Sequence, residues 1–319
     1  MTPPMVGAPA LLAAAIAMTA LASPIADYSE ILDRQWDFDA PGTSEGRFRA
    51  EQARHPAGSR EALEAWTQVA RTLGLQRKFA DADRVLDAVE ASLPRAPARV
   101  RVRYLLERGR VRNSSGDRTD AIPLFEAALA TSGDDHLPGA AYYRIDALHM
   151  LGIAAPAKAA LAWNLKALDE AERANDARSR GWRASILNNL GWTMHERGDY
   201  AQALAYWQRA LALREAQGDV GKTRIARWTV ARGLRSLGRL DEAEAIQRAL
   251  AIELEAARAP DGYVFEELAE IAVARGDPRA AQSWAAKAYA LLGKDADLRA
   301  SEPARLERLA RLAHPEARR

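Results

Sequence analysis

The 319-residue chain contains no cysteine, which excludes disulfides, thiol nucleophiles and thiolate metal sites. Excess charge is also missing, because the formal net charge is +2. A dedicated nucleic-acid binder carries a strong basic excess, so this balance argues against a nucleic-acid partner. Lysine is scarce, since six of the 45 basic residues are lysine. Almost all positive charge is therefore guanidinium, a group that binds carboxylates through two parallel hydrogen bonds.

The candidate catalytic and metal-binding patterns are weak as well. The five histidines show no spacing typical of zinc ligands. Residues 221–223 spell Gly-Lys-Thr, but Ala216 stands where a phosphate-binding loop needs an earlier glycine. The three glutamates within residues 266–270 are typical of a solvated helix face more than of paired acid-base groups. We therefore expect no catalytic residue, no metal and no cofactor, and hence a non-enzymatic protein.

What the chain does contain is a repeat. Seven segments overlay with starts near residues 25, 63, 102, 140, 184, 224 and 262. The clearest copy, residues 184–217, has two apolar stripes at helical spacing, separated by Gly198 and Asp199. The stripes are Leu187, Leu190, Gly191 and Met194, then Tyr200, Ala203, Trp207 and Ala210. A glycine suits the end of one helix and an aspartate the start of the next, so the pattern predicts helix, tight turn, helix.

These residues resemble the tetratricopeptide repeat, with a large residue at position 4, small residues at 8, 20 and 27, and an aromatic near 24. The Leu187-Asn-Asn-Leu-Gly191 run and the long spacing between copies resemble the kinesin-light-chain variety, in a protein of bacterial type. The resemblance implies an all-α fold, a right-handed α-solenoid of about six to seven antiparallel helix pairs with capping helices. It also implies protein or peptide partners and a scaffold function.

The repeat divides the chain into an array with flanking segments. We expect a signal peptide at 1–22, an N-terminal helical cap or degenerate repeat at 25–60, a repeat array over 63–295 and a C-terminal capping helix at 302–314. The repeats of the array are 63–96, 102–135, 140–173, 184–217, 224–257 and 262–295. Copy 140–173 departs from the pattern, because Asp146 stands where a core residue is expected. Trp66, Trp163 and Trp207 occupy positions 4 or 24 and are expected in the core.

An apolar run of alanine, leucine, isoleucine and methionine at residues 6–22 ends in the small-x-small shape of a signal cleavage site. We expect export to the periplasm or secretion. The alternative is a misassigned start on a cytoplasmic protein, because residues 1–5 carry no lysine or arginine. The run is too short and too alanine-rich to favour a stable membrane span.

In the family, positions 2, 5, 9 and 12 of the first helix line a concave groove that holds peptides. The corresponding residues here, the predicted groove residues, are Arg103, Arg110, Asn113, Arg144, Asn188, Trp192, His195, Trp228, Arg232, Arg235, Tyr263, Glu266 and Glu270. The groove would be basic and aromatic in its middle and acidic at its C-terminal end. It suits an extended segment with acidic side chains or a carboxylate. Alternatively, Trp192 and Trp228 pack on each other and the arginines pair with acids of adjacent helices.

Two functions follow from this pattern. The favoured one is a non-enzymatic scaffold that binds a protein or peptide in its groove. The alternative is a cytoplasmic regulatory or accessory subunit that controls an enzyme or a transcription regulator. The sequence favours no particular oligomeric state.

Overall fold

The computed structural model describes residues 27–134 and 136–314, and these residues form helices and turns with no β-strand. The prediction of an all-α fold is confirmed. The predicted signal peptide at 1–22 lies outside the described residues.

The helices follow one another with short connections. Their bounds are α1 Tyr28–Asp33, α2 Pro41–Ala53, α3 Arg60–Leu75, α4 Phe79–Glu90, α5 Ala98–Ser115, α6 Arg118–Thr131, α7 Ala140–Ala154, α8 Ala157–Arg173, α9 Ala177–Arg180, α10 Arg183–Glu196, α11 Tyr200–Gln217, α12 Val220–Ser236, α13 Leu240–Ala256, α14 Gly262–Arg275, α15 Pro278–Leu292, α16 Ala296–Ser301 and α17 Pro303–Ala313. A 3-10 turn at Leu93–Arg95 lies between α4 and α5.

Successive helices pack as pairs, and each pair packs on the next. The pairs are α3 with α4, α5 with α6, α7 with α8, α10 with α11, α12 with α13 and α14 with α15. The second helix of each pair contacts the first helix of the following pair, and α3 also contacts α5, and α5 contacts α7. We call α3, α5, α7, α10, α12 and α14 the first helices. Packing confined to sequence neighbours is the defining feature of a solenoid, so the predicted architecture is confirmed.

In two of the pairs, α5 with α6 and α10 with α11, a glycine faces a large aromatic ring. A Cβ built on Gly191 would overlap the indole of Trp207, and one on Gly109 would overlap the ring of Phe125. Trp207 and Phe125 are fully buried, whereas Trp66 and Trp163 are partly buried against neighbouring core clusters. The two helices of a pair can approach closely because the first helix carries no side chain at the crossing.

The turn of the clearest repeat also follows its sequence. Gly198 has a φ of 79°, in the left-handed region that glycine adopts without strain. Asp199 then caps α11, because its carboxylate accepts a hydrogen bond of 3.1 Å from the backbone amide of Gln202. Both predicted caps are therefore present.

The last described helix covers the end of the array. α17 packs on α15 through Leu306, Leu309 and Ala313, which are buried. This contact keeps the apolar side of the last helix pair away from water.

Replacing Gly191 with alanine should lower the free energy of unfolding by roughly 1–3 kcal/mol, because the added methyl group overpacks the Trp207 site. The matched control is Gly46→Ala, an exposed site inside α2 where a Cβ meets no atom within 4 Å. That change should raise the free energy of unfolding by about 0.5–1 kcal/mol through helix propensity. Urea unfolding measures both, and equal effects of the two substitutions would contradict the proposed crossing.

Candidate functional site

The predicted groove residues lie on five of the first helices. α5 carries Arg103, Arg110 and Asn113; α7 carries Arg144; α10 carries Asn188, Trp192 and His195; α12 carries Trp228, Arg232 and Arg235; α14 carries Tyr263, Glu266 and Glu270. Seven of them line an open cavity in the C-terminal half of the array, and the other six lie outside that cavity.

The open region, which we call the C-terminal cavity, has a volume of about 950 Å³. It brings together seven of the predicted groove residues, namely Trp192, Trp228, Arg232, Arg235, Tyr263, Glu266 and Glu270. The wall also contains residues that the periodicity did not indicate, among them Arg224, Ile225, Leu250, Leu254, Glu302, Arg305 and Arg308. A volume of this size is typical of a ligand-binding cleft.

Two tryptophans form the aromatic side of the C-terminal cavity. The ring centroids of Trp192 and Trp228 are 6.2 Å apart, and Trp192 also lies 5.1 Å from Trp207. The indole nitrogen of Trp228 donates a hydrogen bond of 3.1 Å to the carbonyl oxygen of Tyr263. The two rings therefore contact each other, as the alternative interpretation expects, and still line the cavity.

The basic side of the cavity depends on one buried carboxylate. Arg232 and Arg235 both donate to Glu267, whose side chain is 1% exposed. Burial raises the pKa of Glu267, but the hydrogen bonds and charges of Arg235 and Arg232 outweigh it and hold that pKa below its usual range. Two guanidiniums sharing one carboxylate leave one positive charge uncompensated. Among the described residues, no hydrogen-bond partner faces the Nε of Arg232.

The acidic side of the cavity is ion-paired with α17. Glu266 binds Arg305, which also donates to Glu302 at 3.1 Å, and Glu270 binds Arg308. The predicted acidic end therefore carries three carboxylates that face two guanidiniums. Sequence reasoning treated α17 as a cap and missed its arginines. The signal was their i, i+3 spacing, which places both on one face of α17.

In the N-terminal half, Arg103 belongs to a second shared-carboxylate group. Arg99 and Arg103 both pair with Glu64, whose side chain is fully buried. Arg99 also donates to both carboxylate oxygens of Asp27, at 2.7 and 3.0 Å. This group is similar to the Glu267 group, because two guanidiniums pair with one buried carboxylate. It differs in that Arg99 also binds a second carboxylate, that of Asp27.

Arg110 explains the irregular fourth copy of the repeat. It bridges the carboxylates of Glu107 and Asp146, and both are buried. Asp146 can therefore occupy a core position because its charge is paired with a guanidinium on the preceding first helix. Arg110 is held in this bridge, so the structure places it in the array's interior.

The remaining predicted groove residues bind within the array. Arg144 donates to the carbonyl oxygen of Ser132 at 3.2 Å, and the backbone carbonyl of Asn188 accepts a hydrogen bond from the Trp207 indole. His195 hydrogen-bonds Ser236 at 2.8 Å, and Asn113 is half-buried on α5. None of the four lines the C-terminal cavity.

Residues 42–46 spell Gly-x-Ser-x-Gly, a pattern found around the nucleophile of some hydrolases. In this protein the pattern lies within α2, and Ser44 is fully buried. Its hydroxyl donates to the carbonyl oxygen of Asp37 at 2.9 Å and accepts from the backbone amide of Asp37 at 2.7 Å. Ser44 thus anchors the start of α2.

Across residues 27–134 and 136–314, the side chains form no group of three or more histidines and carboxylates able to hold a metal ion. In the same part of the chain, no helix combines the length and apolar character needed to cross a bilayer.

Comparison with known proteins identifies the repeat. Residues 182–252 match the family model of the tetratricopeptide repeat. The fold is similar to that of BtubC (BKLC) from P. vanneervenii, at 19% identity over 71% of this chain and 92% of that one, with a TM-score of 0.52. It is also similar to NprR in complex with its cognate peptide NprX (16% identity, 91% and 85% coverage, TM-score 0.54) and to the apo form of RapI (11%, 90% and 82%, 0.62). A search of curated proteins finds no match.

Burial lowers the pKa of His149 to about 4; Arg110 and Arg71 act in the same direction, and Asp146 opposes them. The unfolded chain, with an ordinary histidine pKa of about 6.5, therefore binds a proton before the folded chain does as the pH falls. Stability should be constant above pH 7 and decrease from pH 6.5 towards pH 4, with a slope from this proton of at most about 1.4 kcal/mol per pH unit.

His149→Gln should flatten the dependence of unfolding free energy on pH between 7 and 5, measured by urea unfolding. A smaller slope of unfolding free energy against pH should remain in the His149 variant, because burial also lowers the pKa of His195. The control is His136→Gln, the same substitution at an exposed histidine. An unchanged slope in the His149 variant would contradict this assignment.

Proposed function

Because the chain is a tetratricopeptide repeat protein, a fold that serves as a protein-binding scaffold, we propose that it binds an extended peptide segment in the C-terminal cavity. The segment carries an acidic side chain or a terminal carboxylate next to a bulky apolar side chain. The protein acts by holding this segment, without a catalytic step.

The observation that carries the proposal is the pair of guanidiniums on Glu267. In the N-terminal half, Arg99 and Arg103 share Glu64, and Arg99 also binds a second carboxylate, that of Asp27. Arg232 and Arg235 present the same arrangement towards the C-terminal cavity, with the second carboxylate missing among the described residues. A carboxylate of the peptide would supply it, because Arg232 and Arg235 both line the cavity and Glu267 compensates the charge of one guanidinium.

Apolar surface supports the same assignment. Ile225 on the cavity wall is 62% exposed, and it lies on α12 with Trp228. An apolar side chain of the peptide would cover Ile225 and pack on the two indoles. Burial of such a side chain stabilises a complex by about 1.5–3 kcal/mol. The structure of NprR with its peptide shows that a similar fold can hold a peptide.

The opposite wall adds a preference for a basic group. Glu266, Glu270 and Glu302 face Arg305 and Arg308, so this wall has one carboxylate in excess. A lysine or arginine of the peptide, on the side away from its carboxylate, would balance that excess. The ligand is then a segment with an acidic residue at the α12 wall and a basic residue at the α17 wall.

Random hexapeptides displayed on phage and selected on the immobilised full chain should converge on sequences with an acidic residue beside an aromatic or aliphatic one. Synthetic copies of the selected peptides should bind the Arg232→Lys protein about tenfold more weakly than the wild type, a difference of about 1.4 kcal/mol. The reason is that lysine keeps the charge beside Glu267 but loses the guanidinium geometry. Isothermal titration calorimetry measures the change.

The matched control is Arg209→Lys on α11, an exposed arginine that pairs with Glu172 outside the cavity. It should bind the selected peptides as the wild type does. Selection of peptides without acidic residues, or unchanged binding by the Arg232 variant, would show that the C-terminal cavity is not the carboxylate site.

We also infer that the chain is exported, on the basis of the apolar run at residues 6–22 and its small-x-small end. Cell fractionation with N-terminal sequencing should find a mature chain that begins at Ser23 outside the cytoplasm. An intact chain in the cytoplasm would instead favour the role of a regulatory or accessory subunit.

A further inference from the structure

Residues 27–38, which we call the N-terminal segment, lie across the first helices of the N-terminal half. Asp27 binds Arg99 on α5, Ser29 contacts Arg103 on α5, and Asp33 binds Arg178 on α9. The partners of Asp27 and Asp33 are 72 and 145 positions away in the chain. The segment therefore spans several helix pairs, whereas a repeat helix contacts its sequence neighbours.

The segment and the surface beneath it have opposite charge. The segment contains four carboxylates, at Asp27, Glu30, Asp33 and Asp37, and one base, Arg34. Two of these carboxylates receive guanidiniums in a recognition geometry. Arg178 donates from Nε and Nη2 to the two oxygens of Asp33, and its guanidinium lies 3.3 Å from the ring centroid of Tyr142. A guanidinium that stacks on an aromatic ring and makes a bidentate hydrogen bond with a carboxylate is a typical binding arrangement for an acidic ligand.

Apolar and aromatic side chains hold the segment between and beyond its two carboxylates. Leu32 is fully buried in the core cluster that also contains α3 residues. Trp36 stacks on Phe38 with ring centroids 4.6 Å apart, and its indole donates to the side chain of Gln68 at 3.1 Å. Arg71 lies over both rings. The segment thus combines charged, apolar and aromatic contacts, as a bound peptide does.

Part of this contact is open to water. A cavity of about 430 Å³ lies beside the segment and is lined by Asp33, Trp36 and Phe38 on one side and by Arg103, Tyr142 and Trp182 on the other. Phe38 is 53% exposed, and the side chains of Asp33 and Arg178 are 39% and 22% exposed. A ligand side chain can therefore reach Arg178 from solvent.

We propose that the N-terminal segment is a tethered ligand, and that the concave surface of α3, α5, α7 and α9 binds a partner segment of the same chemistry in its place. That partner segment is a short helix with two carboxylates six residues apart, followed by an aromatic pair. This surface is distinct from the C-terminal cavity, so two acidic segments can be bound along one face.

The first test separates the segment from the array without removing it. A site for a sequence-specific protease is inserted after the exposed Asp39 of the full chain, and the protein is cleaved under native conditions. The segment should remain associated in native mass spectrometry, and a fluorescein-labelled synthetic peptide of residues 27–38 should replace it. Loss of helicity on cleavage, or failure of the labelled peptide to replace the segment, would show that the segment is an integral part of the fold.

The second test uses the charges of the segment. In fluorescence anisotropy with the cleaved protein, an Asp33→Asn peptide should bind at least tenfold more weakly than the wild-type peptide, because it loses the bidentate contact with Arg178. Glu30→Gln is the matched control on the same helix, since Glu30 is exposed and its carboxylate lies 4.0 Å from Arg34. It should change the affinity less than twofold. Equal effects of the two peptides would overturn the proposal.

Two further variants of the array separate this site from the C-terminal cavity. Arg178→Gln in the array should weaken binding of the wild-type peptide as much as Asp33→Asn in the peptide does. Combining the two changes should cause little additional loss of affinity. Arg232→Lys should leave binding of the 27–38 peptide unchanged. A loss with Arg232→Lys would place the peptide in the C-terminal cavity and overturn the assignment to the N-terminal surface.

Discussion

Everything in this protein depends on how closely the two helices of a pair can approach. Gly191 leaves room for the indole of Trp207, and Gly109 leaves room for the ring of Phe125. The close crossing buries the large side chain completely and aligns the first helices side by side. The concave face follows from that alignment. A binding surface made this way is rigid because its backbone is fixed by packing rather than by loops.

A buried glutamate shared by two arginines is the chemical counterpart of this packing constraint. Glu64 and Glu267 each lie among first helices; Glu267 binds two guanidiniums, and Glu64 binds those of Arg99 and Arg103 and lies 4.0 Å from that of Arg60. Burying a carboxylate alone is costly, and pairing offsets that cost. A second guanidinium is more than neutrality requires, so each group attracts another carboxylate. In the proposed function, structural ion pairing and ligand recognition are therefore the same interaction, and substitutions at Glu64 or Glu267 should affect both.

The sequence predicted the fold well because it is encoded by local spacing, as in the stripes that end at Met194 and Ala210. Periodicity also accounts for part of the candidate site. Seven of thirteen predicted groove residues line the C-terminal cavity, since position within a repeat determines which side of a first helix a residue occupies. Arg305 and Arg308 were missed because α17 was treated as a cap, and the contacts of the N-terminal segment were missed because they depend on the curvature of the whole array. Periodicity contains no information about which distant helices that curvature brings together.

The two halves of the concave face differ in whether a ligand must compete with a segment of the same chain. In the N-terminal half a partner segment must compete with residues 27–38, whose tether keeps them at an effective concentration of the order of millimolar. In the C-terminal cavity the described residues supply no such competitor. Two ligands of equal intrinsic affinity would therefore fill the C-terminal cavity first. The N-terminal surface would respond to a partner that is abundant locally or attached to the first ligand, and a bivalent acidic partner meets both conditions at once.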